Sequence, residues 1–222
     1  MAEAPPELQR IYHRRFGPTS AYRQRVWQVL TASFFNRWIA PNAAVLDLGC
    51  GYGEFINHIQ AREKFAMDLN PDAPQHLAPE VRFIEQDCAS PWPLDGGTLD
   101  VVFTSNFFEH LPDKSCLKRT LQQAFRCLKP GGKLIAMGPN IKYLPGQYWD
   151  FFDHHTPLTE ASLGEALAVE GFGLETVIPR FLPYTLVQAL EYPLLWLRLY
   201  LKLPWLWRFR GRQFLVVGVK PR

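Results

Sequence analysis

The chain has 222 residues, of which 47% are hydrophobic and 14% aromatic, and this suits one globular domain with a hydrophobic core. Its formal net charge of +3 is much weaker than the positive charge that a nucleic-acid-binding surface normally carries. The four cysteines form no CxxC pair, so neither a disulfide framework nor a zinc site is expected.

The first part of the chain is expected to alternate helices and strands. Apolar residues recur at helical spacing from Thr19 to Ile39, and Pro41 ends that pattern. The run "AVLDLG" reads as a short buried strand, "EFINHIQA" as a helix, and "KFAMDLN" as a second strand.

The same alternation continues in the second half. "VRFIEQD" and "LDVVFTS" read as strands, a helix is expected from Asp113 to Leu128, and "KPGG" turns the chain into the strand "KLIAMG". "GLETVIP" and "QFLVVGVK" are expected to be the last two strands. Strands that alternate with helices predict βαβ units, and therefore an α/β domain with a mainly parallel sheet.

The stretch "VLDLGCGYGEF", from Val45 to Phe55, predicts a ligand site. Glycines at positions 49, 51 and 53 let a strand-to-helix turn bring backbone N–H groups close to a ligand. The dinucleotide fingerprint G-x-G-x-x-G requires a third glycine at position 54, where this chain has Glu54, and no P-loop lysine follows. Asp47 disfavours a pyrophosphate and favours a ligand with a cationic end.

This pattern resembles motif I, D/E-x-G-x-G-x-G, of the class I S-adenosylmethionine-dependent methyltransferases. The resemblance extends from about Tyr12 to Phe172, and it includes "LDVVFTSNFFEHL" and "LKPGGKLIAM". It implies a Rossmann-like methyltransferase fold: a seven-stranded, mainly parallel sheet with helices on both faces and an antiparallel last strand. It also implies S-adenosylmethionine as cofactor.

In such enzymes one acid holds the ribose hydroxyls and another, after the third strand, contacts the adenine. The resemblance assigns the first role to Asp68 and the second to Asp87, with Cys88 supplying backbone. The cofactor-binding residues that it implies are Asp47, Gly49, Cys50, Gly51, Asp68, Leu69, Asp87, Cys88, Asn106 and Arg15.

Methyl transfer to oxygen or nitrogen can require a proton acceptor, and histidine suits that role near neutral pH. His110 follows the fourth strand, while His154 and His155, with Asp153, follow the fifth. The alternatives are that His110 shapes the cofactor pocket and that the other two cap the next helix or lie on the surface. No metal is required by this chemistry.

Residues 1–40 are expected to form an N-terminal helical lid on a single domain that spans residues 1–222. Tyr12, Arg15 and Tyr22 are candidates to cover the cofactor, with Arg15 near its carboxylate. A solvated basic patch is the alternative for "HRR".

An apolar and basic insertion at residues 180–212 separates the last two strands. Its tryptophans and arginines are typical of a helix that lies on a membrane surface, and its prolines leave no piece long enough to span a bilayer. A helical hairpin packed on the domain, or a dimer interface, is the alternative. Oligomeric state is left open.

We therefore predict methyl transfer from S-adenosylmethionine to a small-molecule or lipid-linked acceptor, at oxygen. The sequence "SNFFEHL" replaces the [DN]-P-P-[FY] motif of the enzymes that methylate nucleic-acid amines, so no nucleic-acid partner is expected. RNA or protein methylation and a non-catalytic subunit that binds the cofactor remain alternatives. The first ten residues have no apolar signal segment, which predicts a cytoplasmic protein with possible peripheral membrane contact.

Overall fold

The computed structural model describes residues 20–184 and 191–222. The described chain contains one seven-stranded sheet in the order β3-β2-β1-β4-β5-β7-β6. The strands are β1 Ala44–Leu48, β2 Glu63–Asp68, β3 Val81–Glu85, β4 Leu99–Ser105, β5 Leu128–Pro139, β6 Gly173–Ile178 and β7 Gln213–Val219.

Strands β1 to β5 pair in parallel with one another, whereas β7 is antiparallel to both β5 and β6. The predicted fold class, including the antiparallel last strand, is confirmed. Strand β1 lies between β2 and β4, so the chain order reverses at β1. Ligands of open α/β sheets bind beyond the carboxyl ends of the strands at such a point.

Helices cover both faces of the sheet. Consecutive residues of β1 point to opposite faces, so Val45 belongs to one hydrophobic cluster while Leu46 and Leu48 belong to the other. The first cluster includes one face of the helix Ser20–Ser33, and the second includes the helices Lys114–Cys127 and Glu160–Val169. The α-helices are α1 Ser20–Ser33, α2 Lys114–Cys127, α3 Glu160–Val169, α4 Leu194–Lys202 and α5 Pro204–Arg210.

The segment "EFINHIQA" is not a helix, and that prediction is wrong. It forms a series of turns in which the side-chain amide of Asn57 donates to the carbonyl of His76 and accepts from the N–H of Ala78. Eight residues are too few to form a helix without tertiary support, and here the tertiary bonds favour turns. Phe55, Ile56 and Ile59 are nevertheless buried, as their spacing predicted.

The N-terminal candidates Tyr12 and Arg15 lie outside the described residues. Tyr22, on α1, is 6% exposed and belongs to the first hydrophobic cluster. The described part of residues 1–40 therefore packs against the sheet, and its role as a lid stays a prediction.

The insertion contributes two short helices, α4 and α5. Pro193 precedes α4 and Pro204 begins α5, which agrees with the fixed backbone angle that proline brings to the first turn of a helix. Within residues 20–184 and 191–222, every helix is too short or too polar to cross a membrane.

Candidate active site

The glycine loop after β1 has the left-handed backbone conformation that its sequence requires. Gly49 has φ 70° and Gly51 has φ 55°. A Cβ atom added to Gly49 would lie 2.3 Å from the ring of Phe107, which follows β4. Glycine is therefore needed at position 49 both for the turn and for close contact with the neighbouring connection.

Three backbone donors of this loop are already used within the protein. The N–H groups of Gly49 and Cys50 both donate to the carbonyl of Met67, and the N–H of Gly51 donates to the carboxylate of Asp68 at 2.8 Å. The sequence led us to expect these donors to face the ligand. Instead they fix the loop against the end of β2. At Gly49 and Gly51 the loop has no side chains that would keep a ligand away from the backbone.

Asp68 ends β2, as predicted, and is 7% exposed. Its second oxygen accepts the N–H of Asn70 at 2.9 Å. Burial raises the pKa of Asp68, although its backbone hydrogen bonds oppose that effect. The side-chain nitrogen of Asn70 is buried and has no hydrogen-bond partner among the described residues, so it offers a donor beside this carboxylate.

Two further buried acids lie on either side of the three glycines of the loop. Asp47 is 3% exposed and Glu54 is 6% exposed. Burial, and then the charge of Glu54, raises the pKa of Asp47 well above its ordinary value. Arg23 on α1 pairs with Glu54 at 2.7 Å. This surplus of buried carboxylates favours a ligand that brings positive charge.

The predicted adenine-side residues lie after β3. Asp87 holds a local turn, because its carboxylate accepts the N–H of Ala89 at 2.9 Å. The Cys88 side chain points into the core, where it accepts a hydrogen bond from Thr120 at 3.3 Å, and its carbonyl accepts the indole N–H of Trp92. The proposed contacts with adenine stay predictions.

The connection after β4 carries Asn106, whose φ of 50° is positive. Asparagine tolerates this conformation better than most residues. The backbone N–H of Asn106 donates to Met137 on β5, so the turn is fixed to the neighbouring strand. This turn directs Phe107 toward Gly49, and His110 follows three residues later.

His110 and Asp153 meet at this edge of the sheet. The Nδ1 atom of His110 lies 3.0 Å from the carbonyl oxygen of Asp153 and 3.1 Å from its Oδ2. Both neighbours are acceptors, so Nδ1 carries the proton and Nε2 is the basic atom of the neutral ring. Burial lowers the pKa of His110, but the hydrogen bond to Asp153 and the charge of Glu109 outweigh burial and raise it.

Glu109, which the sequence analysis did not single out, is a central member of this cluster. It is 4% exposed, and burial raises its pKa to about 7. Its backbone carbonyl accepts the N–H groups of His155 and Thr156, so it ties the loop after β5 to the turn after β4. The adjacent "EH" was visible in the sequence, but the burial of the glutamate was not.

The two neighbouring histidines, His154 and His155, differ in burial. His154 is 6% exposed, and its ring lies 5.0 Å from that of His110, whereas His155 is exposed. Neither histidine caps the next helix, because Thr159 caps α3. Tyr148 is fully buried against His154, and its hydroxyl has no hydrogen-bond partner among the described residues.

The donor atoms of Glu109, His110 and His154 lie within 4.8 Å of one another. Such a set can exchange protons with a bound molecule, and its size also allows a divalent ion. Burial raises the pKa of Asp68, and the charge of His110 is among the influences that oppose burial, so the cluster and the acid at the end of β2 are electrostatically linked.

The chain belongs to the family described as "Methyltransferase domain", whose sequence model matches residues 20–177. Membership in this family, together with the fold, implies S-adenosylmethionine as the cofactor. The residues present fit that molecule, because its cationic groups would compensate the buried carboxylate of Asp47, and its ribose hydroxyls could donate to the buried carboxylate of Asp68.

Several curated proteins are similar to part of the chain. A probable S-adenosylmethionine-dependent methyltransferase of Mycolicibacterium smegmatis is 31% identical over 62% of this chain and 54% of its own length. A sarcosine/dimethylglycine N-methyltransferase of Halorhodospira halochloris is 29% identical over 48% and 41%. A demethylmenaquinone methyltransferase of Lactiplantibacillus plantarum is 28% identical over 57% and 56%. The chain thus spans about half the length of the curated relatives that it matches.

Solved structures confirm the fold. A complex of the Haloferax volcanii Trm112 methyltransferase activator with a methyltransferase includes a chain with TM-score 0.68 and 20% identity, covering 93% of this chain and 95% of that one. A SAM-dependent methyltransferase from Archaeoglobus fulgidus gives TM-score 0.68 at 18% identity, covering 96% and 100%.

Proposed function

We propose that this protein transfers the methyl group of S-adenosylmethionine to an oxygen atom of a small-molecule or lipid-linked acceptor. The observation that carries the proposal is the His110–Asp153 pair at the carboxyl edge of the sheet, beside the buried acids of the glycine loop. The loop supplies a site for a cationic methyl donor, and the pair supplies a proton acceptor.

The bound cofactor supplies an electrophilic methyl group on a good leaving group. The protein must then position the acceptor and remove its proton. Asp68 would hold the ribose hydroxyls, and Asp87 would hold the adenine amino group. Asp153 orients His110 so that Nε2 faces away from the pair and can accept a proton from the acceptor hydroxyl.

His154 and His155 enter the proposal differently. His154 is buried beside His110, and this position supports a role for it in the pocket wall or in proton transfer. His155 is exposed and is the weaker catalytic candidate. Asn106, Leu69 and Cys50 remain proposed cofactor contacts through their places in the loops after β4, β2 and β1.

The acceptor is proposed to be flat and largely apolar. The loop after β5 is rich in aromatic residues: Trp149 is 57% exposed and Phe152 is 94% exposed. Aromatic rings favour stacking against a planar ring. One relative is named for demethylmenaquinone, a quinone, and this supports the same class of acceptor.

Methylation at nitrogen is the second candidate, and the relative named as a sarcosine/dimethylglycine N-methyltransferase supports it. Methylation of RNA or protein, or service as a non-catalytic subunit, is a weaker alternative. The relative bound to an activator makes a protein partner a reasonable outcome to test.

Calorimetry with S-adenosylmethionine tests the first step. Asp68→Asn is expected to weaken binding by about tenfold or more, because the buried hydroxyls would lose a charged acceptor. Asp95→Asn, at an exposed position, is the matched control and should bind normally. Unchanged affinity of Asp68→Asn would refute the placement of the ribose.

Transfer from labelled donor to short-chain hydroquinones and to a membrane lipid extract tests the second step. Fragmentation of the product by mass spectrometry then distinguishes methylation at oxygen from methylation at a ring carbon of the hydroquinone or at a nitrogen of a lipid. Cofactor binding without transfer to any of these acceptors would favour the non-catalytic alternative.

A further inference from the structure

One face of the helices α4 and α5 exposes an apolar surface to solvent, which we call the outer face. Trp196 is 65% exposed and Phe209 is 70% exposed, although a solvated helix normally presents polar residues there. Within α4 a spacing of three or four residues separates Leu199 from Trp196 and Leu195, and within α5 a spacing of four separates Phe209 from Trp205, so each helix presents an apolar stripe. The outer face consists of Leu195, Trp196, Leu199, Leu203, Trp205 and Phe209.

The opposite face of the same helices is already packed against the domain. Leu201 is 5% exposed and Trp207 is 8% exposed. Trp207 makes an edge contact with Phe34 at 5.7 Å, and its indole N–H donates to the carbonyl of Tyr200 at 2.8 Å. Core packing therefore explains the inner residues but leaves the outer face without a partner among the described residues.

The charged residues within α4 and α5 all have one sign, and the nearest acid along the chain, Glu191, is paired with Arg25 at 2.8 Å. Arg198, Lys202, Arg208 and Arg210 are exposed, and the sequence from Leu194 to Arg210 contains no acidic residue. Apolar side chains flanked by cations match the boundary of a bilayer, where acyl chains lie beneath anionic headgroups.

We propose that the outer face docks on an anionic lipid bilayer, with Trp196, Trp205 and Phe209 inserted at the headgroup boundary. The charge pattern favours lipid over a second copy of the chain. A two-fold interface through α4 and α5 would bring the same cations of both copies together, and neither helix contains an acid to neutralise them.

Helix α1 connects the outer face with the cofactor loop. The hydroxyl of Tyr22 lies 3.2 Å from both the N–H and the carbonyl oxygen of Tyr192, next to α4. Arg23, the next residue, pairs with Glu54 in the glycine loop. Docking through α4 thus places the membrane next to α1, the helix that borders the active site. Delivery of a lipid-linked acceptor, unlike docking itself, rests on the proposed function.

Co-sedimentation of the full chain with vesicles tests the inference. At low salt the chain is expected to bind phosphatidylcholine vesicles that contain phosphatidylglycerol, and to bind pure phosphatidylcholine vesicles much more weakly. Replacing Arg198 and Lys202 together by glutamine should reduce binding by roughly twenty-five-fold, since each cation contributes about fivefold. Trp196→Ala with Phe209→Ala should reduce it by about tenfold.

Val169→Ala, which removes another highly exposed apolar side chain far along the sequence in α3, is the control and should leave vesicle binding unchanged. All variants alter exposed positions, so their melting curves and S-adenosylmethionine affinities should match those of the parent chain. Blue-shifted tryptophan fluorescence on vesicles, lost on Trp196→Phe with Trp205→Phe, would support insertion of this face.

Absence of binding to the anionic vesicles would overturn the inference, even if the protein binds S-adenosylmethionine normally. Vesicle binding that survives all of these substitutions would also overturn it. A concentration-dependent dimer abolished by Trp196→Ala and Phe209→Ala, without vesicle binding, would identify the outer face as a contact between copies instead. Vesicle binding without cofactor binding would support docking while refuting the proposed function.

Discussion

His110 and Asp153 are 43 residues apart in the sequence, yet Nδ1 of His110 lies 3.1 Å from Oδ2 of Asp153. One residue follows β4 and the other follows β5. Because parallel neighbouring strands end at the same edge, the sheet brings the two together. The pair joins the connection after β4 to the aromatic loop after β5, which is proposed to hold the acceptor.

His110→Asn is expected to lower kcat by about a hundredfold, since asparagine keeps a donor toward Asp153 but provides no base. Binding of S-adenosylmethionine should change by less than about threefold. Transfer of label to a hydroquinone acceptor measures the first effect and calorimetry the second. His155→Asn, at an exposed position, should keep nearly full activity. Full activity of His110→Asn would refute its role as proton acceptor.

The pH dependence of kcat should report the same pair. A base works when neutral, so the rate should rise with pH through the pKa of His110, which Asp153 and Glu109 hold above its ordinary value. Asp153→Asn removes one of the two groups that raise this pKa. The rise of kcat should therefore shift to lower pH, and the maximal kcat should fall. A rise that does not shift would mean that another group controls the rate.

Glu109→Gln is expected to stabilise the protein more at pH 8 than at pH 4. The folded pKa of Glu109 is about 7, above the value of an unfolded glutamate, so ionisation opposes folding as pH rises. The pKa difference corresponds to roughly 3 kcal/mol at most. Urea unfolding at both pH values measures the change. An equal effect at both pH values would show that the burial of charge is not the cause.

Gly49→Ala should destabilise the fold by about 2 kcal/mol or more, because alanine is strained at φ 70° and its Cβ would overlap the ring of Phe107. Phe107→Ala should relieve the overlap but not the backbone strain. A double-mutant cycle followed by chemical unfolding should therefore give a favourable coupling between the two substitutions. Strict additivity would show that the overlap does not determine the cost.

Treatment with EDTA is expected to leave methyl transfer unchanged, because a sulfonium donor and a positioned base suffice for the proposed reaction. The test is informative because the donor atoms of Glu109, His110 and His154 lie within 4.8 Å of one another. Activity would be assayed before and after chelation, and again with added Mg²⁺, Mn²⁺ or Zn²⁺. Loss of activity on chelation and recovery with one of these ions would show a metal site instead.

The sequence by itself predicted where the strands lie along the chain, because buried strands of a parallel sheet are apolar and their ends carry turn residues. Their order within the sheet came from the structure. Gly49 and Asp68 were recognisable because the turn and the strand end limit which residues can stand there. The segment after Gly53 was misread because short helical and turn segments share the same apolar spacing. Tertiary hydrogen bonds at Asn57 decided between them.

Only the tertiary structure decided how the acids and histidines are arranged. The pairing of Arg23 with Glu54 and of His110 with Asp153 joins residues far apart in the chain, and no local pattern specifies such contacts. Burial distinguished His154 from His155, and it placed Glu109 in the site. Local sequence sets backbone conformation, whereas side-chain environment and charge depend on which distant elements the sheet brings together.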